Sequence, residues 1–259
     1  MLTNAEIWFH VQSSETESLS KIDRSLFHKI FRVPQTLAAP ALYLETGILP
    51  VSTIVKVRRL IYFHSVLTGK KDGMLYKVFF VQWHYPSKGD WTIQIKTDLT
   101  DLNLPCDLEK IAKYPTDSFK TLVKVRAKIY AFNLLSKKKE GYKKLENLQY
   151  TELSIQNYLV DTELDHEEKI VLFLFRTRMV NVGENFRSGR DFTLCPLCGL
   201  HLDSQFLILQ CPELKNELVK RFGGDHATSI SEVFSKNIDK KLAETLKYAM
   251  DIRKSKLAS

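Results

Sequence analysis

A chain of 259 residues, 44% of them hydrophobic, is long enough for one large or two ordinary domains and apolar enough to bury a core, which excludes a disordered tail. Its 38 Lys+Arg against 30 Asp+Glu leave a net charge of +8, which attracts phosphate polyanions without conferring any sequence preference. Four cysteines, three of them inside one short window, point to a reducing compartment and exclude a secreted disulfide scaffold.

Residues 4–12 read as a short helix with Ile7, Trp8 and Val11 on one side. A second helix over 18–31 carries Leu19, Ile22, Leu26, Phe27 and Ile30 at spacings of three and four and stops before Pro34. Pro40 opens a brief helix that Gly47 ends, and Pro50 starts the next, as proline inside a helix start and glycine past a helix end do. That next helix, over 51–68, is apolar on most of its circumference, so Lys56, Arg58 and Arg59 must reach out past a neighbour or contact a ligand, and a solvated role is the one expected. Residues 74–84 have helical spacing at Leu75, Val78, Phe79 and Gln82. Asp90 caps a helix whose Trp91, Ile95, Leu99 and Leu102 share a face, leaving Asp98 and Asp101 on its surface.

Pro115 begins the longest helix, to about residue 138, with Leu122, Val125, Ile129 and Phe132 as its expected core stripe. Lys120, Lys124 and Lys128 step by four along the opposite side, where they either follow a nucleic-acid backbone or keep the helix wet. The run Lys137-Lys138-Lys139 with Lys143-Lys144 extends the positive surface into a loop that divides a region 1–140 from a region 141–259. In the second region, helices are expected over 151–159 and from Asp165 through Ile170, Val171, Leu174 and Phe175, with acids at the helix start where they suit its dipole. Arg176, Arg178, Arg187 and Arg190, beside Phe186 and Phe192, then form a cationic patch able to bind phosphate and stack bases. Further helices over 212–222, 229–234 and 237–254 complete an all-α architecture, an irregular multi-helix bundle. The longest apolar run, residues 170–175, is too short to cross a bilayer, and the acid at Glu6 does not suit a signal peptide, so a soluble nuclear or cytoplasmic protein without a membrane partner is expected.

The window Cys195-Pro196-Leu197-Cys198-Gly199-Leu200-His201, running through Asp203-Ser204-Gln205 to Cys211, organises the chain. Two thiols separated by two residues point both sulfurs into one turn, and a third can supply another corner of a tetrahedron. The bland alternative is three reduced thiols in a compact turn-helix packed by Phe206, Ile208 and Leu209, with His201 an exposed loop residue.

This window resembles the cysteine/histidine motif at the C-terminal end of the polyprotein of non-LTR (LINE-type) retrotransposons. Its lead-in, Arg176-Thr177-Arg178-Met179 then Asn185-Phe186, resembles what precedes that motif. Residues 41–50, Ala-Leu-Tyr-Leu-Glu-Thr-Gly-Ile-Leu-Pro, with Arg58-Arg59-Leu60, resemble the segment after the reverse-transcriptase core, as do Lys88-Gly89-Asp90-Trp91 and Asp98-Leu99. The resemblance implies thumb-side helices, a linker region and a zinc-knuckle-like terminal motif that grips RNA or DNA while polymerisation happens elsewhere, with another retroelement protein as a further partner. It implies zinc held by Cys195, Cys198 and Cys211, with His201 or water fourth, because Leu207 stands about where the family has its histidine. The chain has no Asp-Asp pair of the kind a two-metal polymerase uses, no Gly-rich phosphate loop and no hydrolase elbow, so a non-catalytic nucleic-acid-binding module is expected, with a helical protein-interaction module as its rival.

Overall fold

The computed structural model describes residues 13–34, 36–186, 194–223, 229–235 and 238–258; the expected helix over 4–12, together with Arg187, Arg190 and Phe192, lies outside them. Among the described residues the fold is all-α, and the one β feature is an isolated antiparallel bridge between Leu194 and Leu202. The chain forms two compact units: the described residues up to Ser25 with Ile48–Lys137, and Leu26–Gly47 with Lys138–Ser259. Residues 26–47 therefore pack with the C-terminal part, not with the region 1–140 that the lysine run was expected to delimit, because they bury an ion pair there. Helix α1 (Ser13–Phe31) buries Phe27 but leaves Ile22, Leu26 and Ile30 exposed.

The helix α2 (Ala39–Thr46) belongs to the second unit, and the first is built from α3 (Val51–Thr68), α4 (Met74–His84), α5 (Trp91–Asp101), α6 (Leu108–Ala112) and α7 (Thr116–Lys139). Leu60 and Phe63 of α3, Phe79 and Trp83 of α4, Ile95 and Leu99 of α5 and Val123 of α7 share one core, and Phe63 stacks on Trp83 with ring centroids 5.8 Å apart. Helix α7 buries Phe119, Val123, Ala127, Ala131 and Leu135, not the expected stripe. Val125 and Ile129 are instead exposed, at 50% and 48%. Both faces of α7 carry apolar residues, and the one that meets the core is that of Phe119, Val123 and Ala127, with Leu122 packed against it half-buried.

Two expectations about charge are corrected in this unit. Asp98 is fully buried, where it accepts a hydrogen bond from Lys56 Nζ at 2.9 Å and faces Arg59 Nε at 3.4 Å; Lys56 also donates to Asp101 at 2.7 Å. Arg58 is exposed as expected, but Lys56 and Arg59 lie on sides of α3 that pack against its neighbours, so α5 supplies their countercharge. Burial alone pulls the Lys56 ammonium down, but Asp98 and Asp101 outweigh it and hold that lysine above its ordinary value.

The second unit contains α2 (Ala39–Thr46), α8 (Asn157–Val160), α9 (His166–Arg176), α10 (Gly183–Phe186), α11 (Pro212–Phe222) and α12 (Lys240–Ala258). Asp165 and Glu168 close a capping box at the start of α9, as the acids in that turn suggest. Helix α9 packs on α12 and buries Ile170, Leu172, Phe173 and Phe175, a wider apolar arc than the expected one, while Phe31 stacks on Phe173 at 4.2 Å. Every residue of α2 after Ala39 is buried, including Glu45. Gly47 ends that helix in the left-handed region at φ 68°, its N–H donating to the Tyr43 carbonyl at 2.9 Å. A Cβ there would stand 2.3 Å from the Ile155 nitrogen, so no other residue fits without moving backbone.

Glu45 organises the interior of this unit. Its carboxylate accepts from Tyr150 Oη at 2.6 Å, Tyr158 Oη at 3.0 Å and Arg176 Nε at 2.9 and 3.0 Å. Arg176 also donates through Nη1 to the carbonyls of Val233 at 2.6 Å and Ser235 at 3.2 Å. One salt bridge thus ties α2, the segment before α8, α9 and the turn near residue 233.

Candidate metal centre and cationic surfaces

The cysteine window folds as a turn closed at its neck by the Leu194–Leu202 bridge, with the Cys195 N–H donating to the His201 carbonyl at 2.7 Å. Gly199 takes φ 64°, the left-handed step that lets its N–H reach back to the Cys195 carbonyl at 2.8 Å. A 3-10 turn, Gln205–Gln210, then delivers Cys211 to the N-terminal boundary of α11, where Pro212 follows without an N–H to lose.

The Sγ atoms of Cys195, Cys198 and Cys211 all lie within 4.8 Å of one another, and Cys195 Sγ is 3.8 Å from Cys211 Sγ. Cys195 and Cys211 are buried and Cys198 is half-buried, so the cluster opens to solvent on the Cys198 side. Burial first, and the neighbouring Cys198 and Cys195 after it, push the Cys211 thiol up to about 11 against an opposing N–H from Leu214. For Cys198 burial also acts upward, but the N–H groups of Leu200 and His201 and the neighbouring thiols together bring it below its ordinary value. N–H groups aimed at a sulfur stabilise a thiolate, the form that ligates a metal. His201 touches the cluster at its edge, Nδ1 3.7 Å from Cys198 Sγ, while its Nε2 is buried without a hydrogen-bond partner among the described residues. Leu207 sits half-buried in the 3-10 turn and contributes no donor. These three cysteines can hold a metal ion.

Two polar residues of the window, quoted above only as part of a pattern, anchor it. Asp203 is nearly buried, pairs with Arg253 of α12 at 2.7 Å and accepts the Gly183 N–H at 2.7 Å. Gln205 is fully buried, and its Nε2 donates to the Phe175 carbonyl near the end of α9 at 3.2 Å. The turn is therefore bolted to α9 and α12 by side chains outside the ligand set, which holds the sulfurs convergent.

The expected cationic residues part company. Arg176 is a core residue, 2% exposed, and its bonds to Glu45 and two carbonyls leave it no face for phosphate; the expectation that it grips a nucleic-acid backbone is corrected. Arg178 stands at φ 56°, pairs with Glu184 and lies over the Phe206 ring at 5.3 Å, so part of its charge is already countered. On α7, Lys120 is half-buried and 3.3 Å from Asp117, whereas Lys124 and Lys128 are exposed beside Val125 and Ile129. The lysines of α7 lie in the first unit and the cysteine turn in the second.

No helix among the described residues is long and apolar enough to cross a membrane. Fold and site together define an all-α protein whose second unit carries a three-cysteine turn-helix competent for a metal. No protein-family model, curated protein or solved structure matches the chain.

Proposed function

We propose that this chain is a non-catalytic nucleic-acid-binding segment akin to the C-terminal region of a non-LTR retrotransposon reverse transcriptase, with zinc in its cysteine turn. The observation that carries the reading is the convergence of Cys195, Cys198 and Cys211 in a turn followed by a helix. The 3.8 Å between Cys195 Sγ and Cys211 Sγ equals the edge of a tetrahedron with Zn–S distances of about 2.3 Å, and soft sulfur donors suit zinc. His201 or water takes the fourth corner. Zinc in such a site neutralises the thiolates and fixes the turn; it supplies no reaction.

Phosphate is held by Lys124 and Lys128, with Lys120 beside them, and by Arg178, Arg187 and Arg190, which precede the cysteine window in sequence. The direct test is binding of the whole chain to a structured RNA across a salt series. The logarithm of affinity falls with log salt by about 0.9 for each phosphate contact, and Lys124→Glu or Lys128→Glu lowers that slope by about one each. A flat response, or no binding at low salt, removes the reading. Elemental analysis of protein purified without chelator gives close to one zinc; less than about a tenth of an equivalent removes the metal from it.

A second reading, a protein-interaction helix, draws on α4. Met74, Val78, Val81 and Tyr85 are exposed, Met74 at 77% and Tyr85 at 81%, and they repeat by four, three and four, the seam that packs against another helix. Exposed Lys71 and Lys77 flank that seam and match a partner helix with acidic flanks. Retention of the whole chain on an immobilised amphipathic helix of that design, lost in Val78→Lys/Val81→Lys, supports it; equal retention of the variant removes it.

A further inference from the structure

The lysine run that marks the end of α7 has a structural consequence of its own. Lys139 folds inward and donates to the carbonyls of Leu145 and Leu148, at 3.4 and 2.5 Å, which pins the turn between them. Within that turn the Tyr142 N–H donates to the Lys139 carbonyl at 2.8 Å, and the Leu145 N–H to the Tyr142 carbonyl at 2.9 Å. Tyr142, Lys143 and Lys144 of the pinned turn line a cavity of about 410 Å³. Leu37 and Met179, both buried, line it as well, together with Thr36. The whole cavity belongs to the second unit.

A largely apolar cavity of this size, lined by a tyrosine and two lysines, matches one chemical class. The apolar lining accepts a flat heterocycle, Tyr142 at 46% exposure is free to lie against it, and the lysines take a phosphate attached to it. We propose that this cavity is a nucleotide pocket, holding one base of a single strand against Tyr142 with its phosphate on Lys143 and Lys144, or the same unit as a free nucleoside monophosphate. This deepens the nucleic-acid reading and rests on it for the strand, though not for the free nucleotide. Lys144 adds support: burial, and after it the nearby Arg178 guanidinium, hold its ammonium below the usual value, while Glu184 acts weakly the other way. An anion brought between Lys144 and Arg178 relieves that repulsion. No glutamate is among the residues that line the cavity, and Glu184 is engaged by Arg178 and Ser204.

The test uses the whole chain, fluorescence anisotropy with a labelled single-stranded DNA of about ten nucleotides, and an abasic strand of equal length. Tyr142 is exposed, so Tyr142→Ala leaves the fold intact. Base stacking predicts that this variant binds the base-bearing strand about tenfold more weakly and the abasic strand as well as the parent does. Lys143→Gln/Lys144→Gln weakens both strands. Tyr142→Ala binding both strands as the parent does, or losing both equally, overturns the pocket while leaving the salt-dependent nucleic-acid reading in place. If the parent binds no strand, that reading fails and calorimetry with adenosine 5′-monophosphate decides the pocket. Saturable binding that Lys144→Gln abolishes and that inorganic phosphate alone does not reproduce supports it; absence of binding overturns it.

Discussion

Glu45→Gln keeps the shape of a fully buried side chain and removes one charge, which makes it the sharpest probe of how the second unit is held together. In the parent, the carboxylate receives four hydrogen bonds, from Tyr150 at 2.6 Å, Tyr158 at 3.0 Å and Arg176 at 2.9 and 3.0 Å. The amide of a glutamine has one acceptor oxygen, so its NH2 must face Arg176 Nε or a tyrosine hydroxyl, and the guanidinium, 2% exposed, is left with neutral partners alone, the Val233 and Ser235 carbonyls among them. Leaving one member of a buried ion pair uncompensated costs about 3–5 kcal/mol, a large part of the roughly 5–15 kcal/mol by which a domain is stable. Urea unfolding followed by circular dichroism should show a midpoint lowered by about 1–3 M. Glu45→Leu combined with Arg176→Met removes both charges together, so the double variant must be much more stable than the sum of the two single losses, with a coupling of about 2 kcal/mol or more. Additive losses, or a Glu45→Gln loss below about 1 kcal/mol, would refute the claim that this pair is bound in a dry interior.

The same cluster governs alkaline stability. Burial first, then the Glu45 charge, hold Tyr150 and Tyr158 well above the ordinary phenol value of 10.0, so both stay neutral in the fold and ionise in the unfolded chain. Stability is therefore full below pH 10 and falls as pH rises above it, by about 1.4 kcal/mol per pH unit for each tyrosine; phenolate absorbance from these two should appear only with the loss of helical signal. Gly47→Ala should cost about 2 kcal/mol or more by thermal unfolding, because φ 68° disfavours a Cβ and that atom would stand 2.3 Å from the Ile155 nitrogen; a smaller loss means that the 154–155 backbone yields easily. Chelator added to zinc-loaded protein should speed amide exchange at Cys195 and Gly199, whose N–H groups close the turn, and leave Leu60 in the first unit unchanged; identical exchange with and without chelator removes the metal from the fold. Replacing Leu207 with His should tighten zinc binding if the family's usual ligand position is geometrically available in this 3-10 turn.

What the linear pattern determined was element type and the existence of the cysteine site. Proline and glycine punctuation placed α2, α3 and α11, because a missing N–H and a left-handed φ act on the backbone locally. The Cys-x-x-Cys spacing places two sulfurs in one turn for the same local reason. Partners and burial were decided elsewhere. Arg176 reads as surface cation in a run of arginines, and only the approach of Glu45, 131 positions earlier, makes it a core residue. Asp98 looks solvent-facing by helical phase until α3 delivers Lys56 and Arg59 to it. The buried face of α7 is fixed by which of its two apolar faces meets the core of α3, α4 and α5, a property of three-dimensional packing that hydrophobicity along one helix does not encode. The sequence alone therefore yielded what neighbouring residues impose on one another, whereas the tertiary structure chose which charges are buried together, since the low dielectric that forces such pairing arises only once distant segments have excluded water.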